Sequence, residues 1–176
     1  MLLSLLLLGV CLLLGAVTVT YTSQIKVVET LPNNTGSASD ANRKITHDQY
    51  DESGTYTGAT TPPVTQCAFF LGTLSGGALT VDLRALTTTN GATLDLNGLK
   101  VQMVRIKNLG ANDMTFKEGA SNGHNLFSAT DGFTVPPGGH VQIFTNDNTD
   151  DVSGSNKTWD VTGTGSQTFE CSIVAG

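Results

Sequence analysis

Three histidines, a crowded run of acids and amides, and three cysteines are the side chains here with the most chemical capacity. His47, His124 and His140 stand far apart. None falls in the HxH or HExxH spacing that aims two imidazoles at one metal. All three read as isolated surface histidines, with His140 on the polar parity of its strand beside Gln142. The run Asn146-Asp147-Asn148-Thr149-Asp150-Asp151 crowds oxygen ligands of the kind Ca²⁺ takes, yet it lacks the EF-hand order of acids, central glycine and terminal Glu. Asp and Asn also favour turns, and a solvated turn is the expectation. No serine is read as a nucleophile, since none stands in an elbow of strand, G-x-S-x-G turn and helix. Asp82, Asp95, Glu118 and Asp131 fall near turns or on outward strand parity, with nothing to pair them as acid and base. The sequence therefore offers no catalytic residue, no metal ligand set and no cofactor site, and the expectation is a protein that is not an enzyme.

Cys11 lies in an apolar N-terminal run, which leaves Cys67 and Cys171 in the body. No CxxC is present, so the usual zinc and thioredoxin signals are missing. Each body cysteine sits in a strand-like run, TQCAFFL and FECSIVAG. Small buried apolar residues are the preferred reading, and a disulfide is the alternative. Asn33-Asn34-Thr35 and Asn156-Lys157-Thr158 spell glycosylation sequons, which matter only in a secretory setting. Trp159 and the three Tyr are too few for a broad sugar-stacking platform, and Trp159 reads as core.

The elements that would position these residues are strands. Charged residues make up only 14 %, and 26 Thr with 20 Gly supply the polarity and the turns. Val17, Val19, Tyr21, Ile25 and Val27 alternate with polar residues as a half-buried strand. Residues 31–42 read as a loop, 43–49 as a short strand and 52–63 as a second polar connection. CAFFL, within Val64–Leu74, is apolar on both faces, as a central strand is. Ser75-Gly76-Gly77 then predicts a hairpin into Leu79, Val81 and Leu83. Residues 86–98 read as a loop with two Asn-Gly turns. Along Leu99–Asn108 the apolar parity switches, which predicts a β-bulge near Met103 with Lys100, Gln102, Arg105 and Lys107 toward solvent. Short strands follow at Met114–Lys117, at Phe133–Val135 before Pro136-Pro137-Gly138-Gly139, at His140–Thr145, around Trp159 and Val161, and at Thr168–Ile173. Eight to ten short strands and no helical period after residue 20 predict an all-β fold, an antiparallel β-sandwich of jelly-roll type.

Residues 1–18 form a separate apolar segment and residues 19–176 a single β-sandwich domain. Nine of the first fourteen residues are Leu, and the first charged side chain is Lys26. Three readings stand side by side. A signal peptide fits the length and the small residues Gly15-Ala16, but lacks a basic n-region. A retained helix, greasy on every side, would need lipid or protein around it. A start codon placed too far upstream would add residues the native protein never has. The net charge of −6, the pI near 4.8 and nine scattered Lys and Arg exclude a phosphate-binding footprint, so no nucleic-acid partner is expected.

Two stretches, LSGGALTVDLRALTTTNGATLDLNGLKVQMVRIKN (Leu74–Asn108) and FTVPPGGHVQIFTND with GSNKTWDVTGTGSQTFECSIVAG toward the C-terminus, resemble a recurrent pattern in small proteins of tailed phages and prophage-like gene clusters. The resemblance covers residues 21–176 and leaves out the apolar segment. It implies a small β-sandwich closed by a Pro-Gly turn and a final strand ending in Gly, with a structural or head-associated place in the virion. The expected role is a virion component (capsid, decoration or head-associated). The alternative is a subunit of an extracellular filament or cell-surface assembly whose N-terminal apolar helix is buried, and a secreted binding module ranks third. The expected partners are copies of the chain in a homo-oligomer or polymer, or other virion proteins; a membrane enters only through residues 1–18. The strand around Val19–Val27 is the expected partner-pairing edge.

Overall fold

A Thr-, Val- and Gly-rich chain with period-two alternation satisfies its backbone by pairing strands, and that is what it does from end to end. The computed structural model describes residues 16–30, 44–88, 91–145 and 147–176. Residues 1–15 of the apolar helix or leader read for 1–18 and the loop read for 31–42 lie outside the described residues, while Thr18 is already in a strand. No described residue is helical. The strands are β1 (Thr18–Thr30), β2 (Lys44–Thr57), β3 (Gln66–Thr73), β4 (Ala78–Asp82), β5 (Leu86–Thr87), β6 (Thr93–Leu94), β7 (Val101–Asn108), β8 (Met114–Glu118), β9 (Phe133–Val135), β10 (His140–Phe144), β11 (Thr158–Thr162) and β12 (Thr168–Ala175).

Every pair of these strands is antiparallel. One four-stranded sheet runs β10-β7-β12-β3 and a second runs β4-β11-β8-β9; β1-β2 and β5-β6 are two-stranded. The four-stranded sheets share one core. Val104, Ile106, Phe169, Cys171 and Ile173 of the first meet Val81, Met114, Phe116, Trp159 and Val161 of the second, all within 6 % exposure. Burial of each large side chain stabilises the fold by roughly 1.5–3 kcal/mol. Aromatic rings link the layers: Phe169 of β12 meets Phe116 of β8 edge-on at 5.2 Å, and Phe127 meets Trp159 at 5.1 Å. Buried Asn108 fastens one end, its amide donating to the carbonyls of Asn112 (2.8 Å) and Val135 (2.9 Å) while its Oδ1 accepts from Gly110 N–H.

Four expectations change. Ser75-Gly76-Gly77 does make the tight turn, with Ser75 and Ala78 exchanging backbone hydrogen bonds across it. The flanking strands do not continue as a hairpin, because β3 pairs with β12 and β4 with β11, in different sheets. Both ribbons turn there together. Leu74 N–H donates to Gln167 O and Gly77 N–H to Gly165 O, while Gly163 N–H donates back to Gly77 O. Gly77, at φ 88°, has the Gly163 carbonyl only 2.8 Å from where a Cβ would sit. The CAFFL strand is at the edge of its sheet, with Phe69 and Leu71 exposed, so its second apolar face is not core. The polar residues 44–57 form one long strand in place of a short strand and a connection. The bulge expected near Met103 is present, at Gln102 between Val101 and Met103, and what changes is the facing of Gln102. Gln102 is consequently buried, with Nε2 donating to Pro63 O at 2.5 Å, while Met103 turns to the outer face.

Gly72 lies beneath the Phe169 ring, and a Cβ there would overlap it. Gly72→Ala is expected to displace that ring from Phe116 and cost about 1–3 kcal/mol in urea unfolding. Thr73→Ala, next along and exposed, should stay within about 0.5 kcal/mol of wild type.

Candidate interaction surface

The chemically capable side chains are mostly committed to holding the fold. His124 is fully buried, which corrects the surface reading: its signal was a lone imidazole in a Gly-Asn loop, and nothing local reports burial. Its Nδ1 accepts from Leu126 N–H (3.3 Å), so the Nε2–H donates to Asp150 O (3.1 Å), and the ring lies edge-on to Trp159 at 6.3 Å. Burial holds its pKa below the usual imidazole range, opposed by the Asp150 carbonyl and carboxylate. His47 lies on β2, 3.7 Å from Glu29, and His140 is exposed on β10. The three histidines are not brought together.

The acidic run folds around an ammonium group. Lys100 Nζ donates to Thr149 O (2.9 Å) and Asp147 O (3.3 Å) and stands 3.7 Å from Asp151. Buried Thr149 donates to Val101 O. The lysine ammonium thus takes up the loop oxygens of Asp147, Thr149 and Asp151. Among the described residues no group of three His, Cys, Asp or Glu is arranged to hold a metal.

Gly119-Ala120-Ser121-Asn122-Gly123 does spell G-x-S-x-G, a match the sequence reading passed over. It is a turn tied to β11: Ser121 O accepts from Thr158 Oγ1, Asn122 O from the Lys157 and Thr158 N–H groups, and Ala120 N–H donates to Asp160. The residue at positive φ is Asn122 (54°), and the strand–turn–helix setting of a nucleophile elbow is missing from the described residues.

Asp82 receives Lys157 Nζ at 2.6 Å and Arg84 N–H at 2.9 Å; Asp95 takes a two-pronged contact from Arg84 at 3.2 Å. Burial pushes the Asp82 pKa up, but the Lys157 and Arg84 contacts outweigh it and hold the carboxyl below its ordinary value. The Arg84 hydrogen bond does the same for Asp95. Asn156 donates to Asp151 O. Trp159 is core, as expected. Cys67 and Cys171 are free thiols on opposite faces of adjacent strands, so they do not pair. Cys171 is buried, with its pKa raised by burial, but Cys67 is exposed because β3 is an edge strand.

What remains uncommitted is apolar surface. The β1-β2 ribbon rests its base on the outer face of the first sheet. There Val17, Val19, Tyr21 and Tyr56 pack on Val64, Met103 and Val174, and Tyr21 meets Phe144 at 4.6 Å and Tyr56 at 5.6 Å. Gly54, opposite Tyr21 in register, makes room for that ring: a Cβ there would lie 2.7 Å from it. Beyond Tyr21 the ribbon leaves the body, and described side chains on both its faces are exposed. Strand alternation puts Ile25 (62 % exposed), Val27 and Ile45 on the same face as the packed base. The opposite face carries a Thr-rich row, with Thr20 and Thr55 in contact at 3.5 Å. On the sheet beneath, Phe69 and Leu71 (60 %) lie open beside Arg105 and Lys107. Sequence alternation marked β1 as half buried; only its base is.

No family model, no curated protein and no solved structure matches the chain.

Two expectations follow. A depressed folded-state pKa at His124 means the unfolded chain takes up a proton that the folded chain refuses, so stability is full above about pH 6.5 and falls as pH drops below it. Asp82 and Asp95 add a second loss as pH falls below about 4 toward their folded values. Urea midpoints between pH 8 and 3 should show both steps, and His124→Gln should flatten the first. Separately, Gly54→Val should push Tyr21 off Phe144. Hydrogen exchange should then quicken along β1 while β7 and β12 keep their protection.

Proposed function

We propose that this chain is a non-enzymatic structural subunit that assembles with copies of itself or with other virion proteins, as a capsid, decoration or head-associated component. The observation that carries the reading is the β1-β2 ribbon, whose apolar face is packed at its base and bare along its outer half. Exposed contiguous apolar surface on a folded chain marks a contact site more often than not.

We read the two sheets as a jelly roll. In support, the strand pairs are nested: β3 with β12, β4 with β11, β7 with β10 and β8 with β9. A long antiparallel ribbon, wrapped so that β12 joins β7 and β11 joins β8, gives this order. Jelly rolls build viral shells but also lectins and cupins, so the fold raises the virion reading without choosing it. The resemblance read for residues 21–176 to small phage proteins is what supports the virion reading among these. The Leu-rich run of residues 1–18 favours a second reading, an extracellular filament or surface subunit with that run buried in the fibre.

Intact-mass measurement and electron microscopy of the purified native particle separate the two. A closed shell, or rings seated on one, is the expected result. A helical polymer of chains retaining residues 1–18 would move the assignment to the filament. A monomer at every concentration and in every particle fraction would end the assembly reading.

A further inference from the structure

The β1-β2 ribbon crosses its own sheet along one row of side chains only. Thr18, Val19 and Thr20 line a groove with Cys67 and Phe69 near β3, Val19 packs on Met103 and Val174, and Tyr21 reaches Phe144 on β10. The ribbon then runs past the β10 edge. The next rows of the sheet's outer face stay uncovered, and they hold Phe69 and Leu71 on β3, Arg105 and Lys107 on β7, and Glu170 on β12. One chain therefore carries two bare apolar surfaces. A ribbon and a sheet face of these same types already pack against each other at the ribbon's base.

Their charges are opposite. The exposed half of the ribbon bears Glu29, Asp48, Asp51 and Glu52 against Lys26 and Lys44. Glu29 and Glu52 share the face of Ile25, Val27 and Ile45 by register. The sheet patch has Arg105 and Lys107 against Glu170, which lies 4.0 Å from Arg105. The acid-rimmed apolar strip and the base-rimmed apolar patch are thus complementary in charge, the kind of pairing that steers and orients association.

The size also fits. A ribbon extending from Thr22 to Thr30 is roughly 30 Å long and about 10 Å wide. One such contact removes about 600 Å² of surface counted on both partners, and a reciprocal exchange about 1,200 Å², the lower bound of stable specific interfaces.

We propose that the outer half of the β1-β2 ribbon of one copy lies, apolar face down, across the Phe69–Leu71–Arg105–Lys107 patch of a second copy. The proposal rests on the assembly reading above and names its contact. A two-fold arrangement of this contact closes a dimer, while a head-to-tail one propagates into rings or shells.

The test uses the full chain and sedimentation velocity across a concentration series. The ribbon variant carries Val27→Asp and Ile45→Asp; the patch variant carries Phe69→Ser and Leu71→Asp. All four positions are exposed, and thermal melts check that each variant folds. Each variant is expected to associate at least about tenfold more weakly than wild type. An equimolar mixture should regain association, since an intact ribbon then meets an intact patch. Arg105→Glu, on the patch rim, should weaken association at low salt and lose that effect at high salt, and it serves if a patch variant misfolds. A patch variant or Arg105→Glu that assembles as wild type does would overturn this contact while leaving the assembly reading standing. So would two folded, monomeric variants whose mixture stays monomeric. Wild type that is monomeric throughout would remove both.

Discussion

The first sheet exists only because β12 fills the gap between β3 and β7. Those last eight strand residues pair on one side with β3 and on the other with β7. Without them β3 would lose its only strand partner in that sheet, and Phe169 could not reach Phe116 in the other. The pairing of Gln66 with Ala175 joins residues about a hundred positions apart, so its loop-closure entropy must be met before its contacts contribute. The nested order of pairs eases this constraint. β8 and β9, β7 and β10, β4 and β11, then β3 and β12 span progressively longer loops, so each inner pair shortens the effective loop of the next. The corner at residues 74–77 and 163–167 is where this ribbon bends, and the glycines there let two backbones pass within hydrogen-bonding distance.

The same need to satisfy buried polar groups accounts for the residues that first suggest chemistry. Loops that cap a two-layer body leave carbonyls without strand partners, and each must find a donor. Lys100 supplies one to the acidic run, His124 to Asp150, and Asn108 to Asn112 and Val135. A lysine does this without depending on metal supply, and a neutral imidazole does it with a donor and an acceptor on one rigid ring.

Local pattern made the strands legible, and their partners were not local. Leu79, Val81 and Leu83 alternate strictly, and Val81 and Leu83 are buried as that alternation requires. Yet a Gly-Gly turn between two strands fits a corner between sheets as well as a hairpin within one, since both need positive φ. CAFFL reads as a central strand because periodicity cannot tell an apolar face that meets core from one that meets solvent. Gln102 looks outward by parity, but the bulge that changes the parity falls on Gln102 itself. His124 was misread because its burial depends on Trp159 and on the loop at Asp150, more than twenty residues away. The surface proposed for contact left a trace in sequence at β1, as alternation without an evident core to receive it; the patch on β3 left only an apolar excess.

An isolated two-stranded ribbon is marginal in water, and one bearing an uncovered apolar face is more so. The base of this ribbon is secured by Tyr21, Tyr56 and Phe144, but among the described residues the outer half has only its own cross-strand contacts. Its opposite face is mostly Thr and charge, broken by exposed Val28, and the charges discourage stacking on that side. Were the apolar side also meant for water, period-two alternation in β1 would serve nothing, because Thr or Lys at Ile25 and Val27 would hold the strand equally well and more soluble. Exposed aliphatic side chains are concentrated on one face, with Ile25, Val27 and Ile45 continuous with the face that packs at the base and Val28 alone on the other, a pattern that fits burial of that face against a partner. The contact proposed with a second chain would meet that condition, and the acid rim would then limit which part of that chain can meet it.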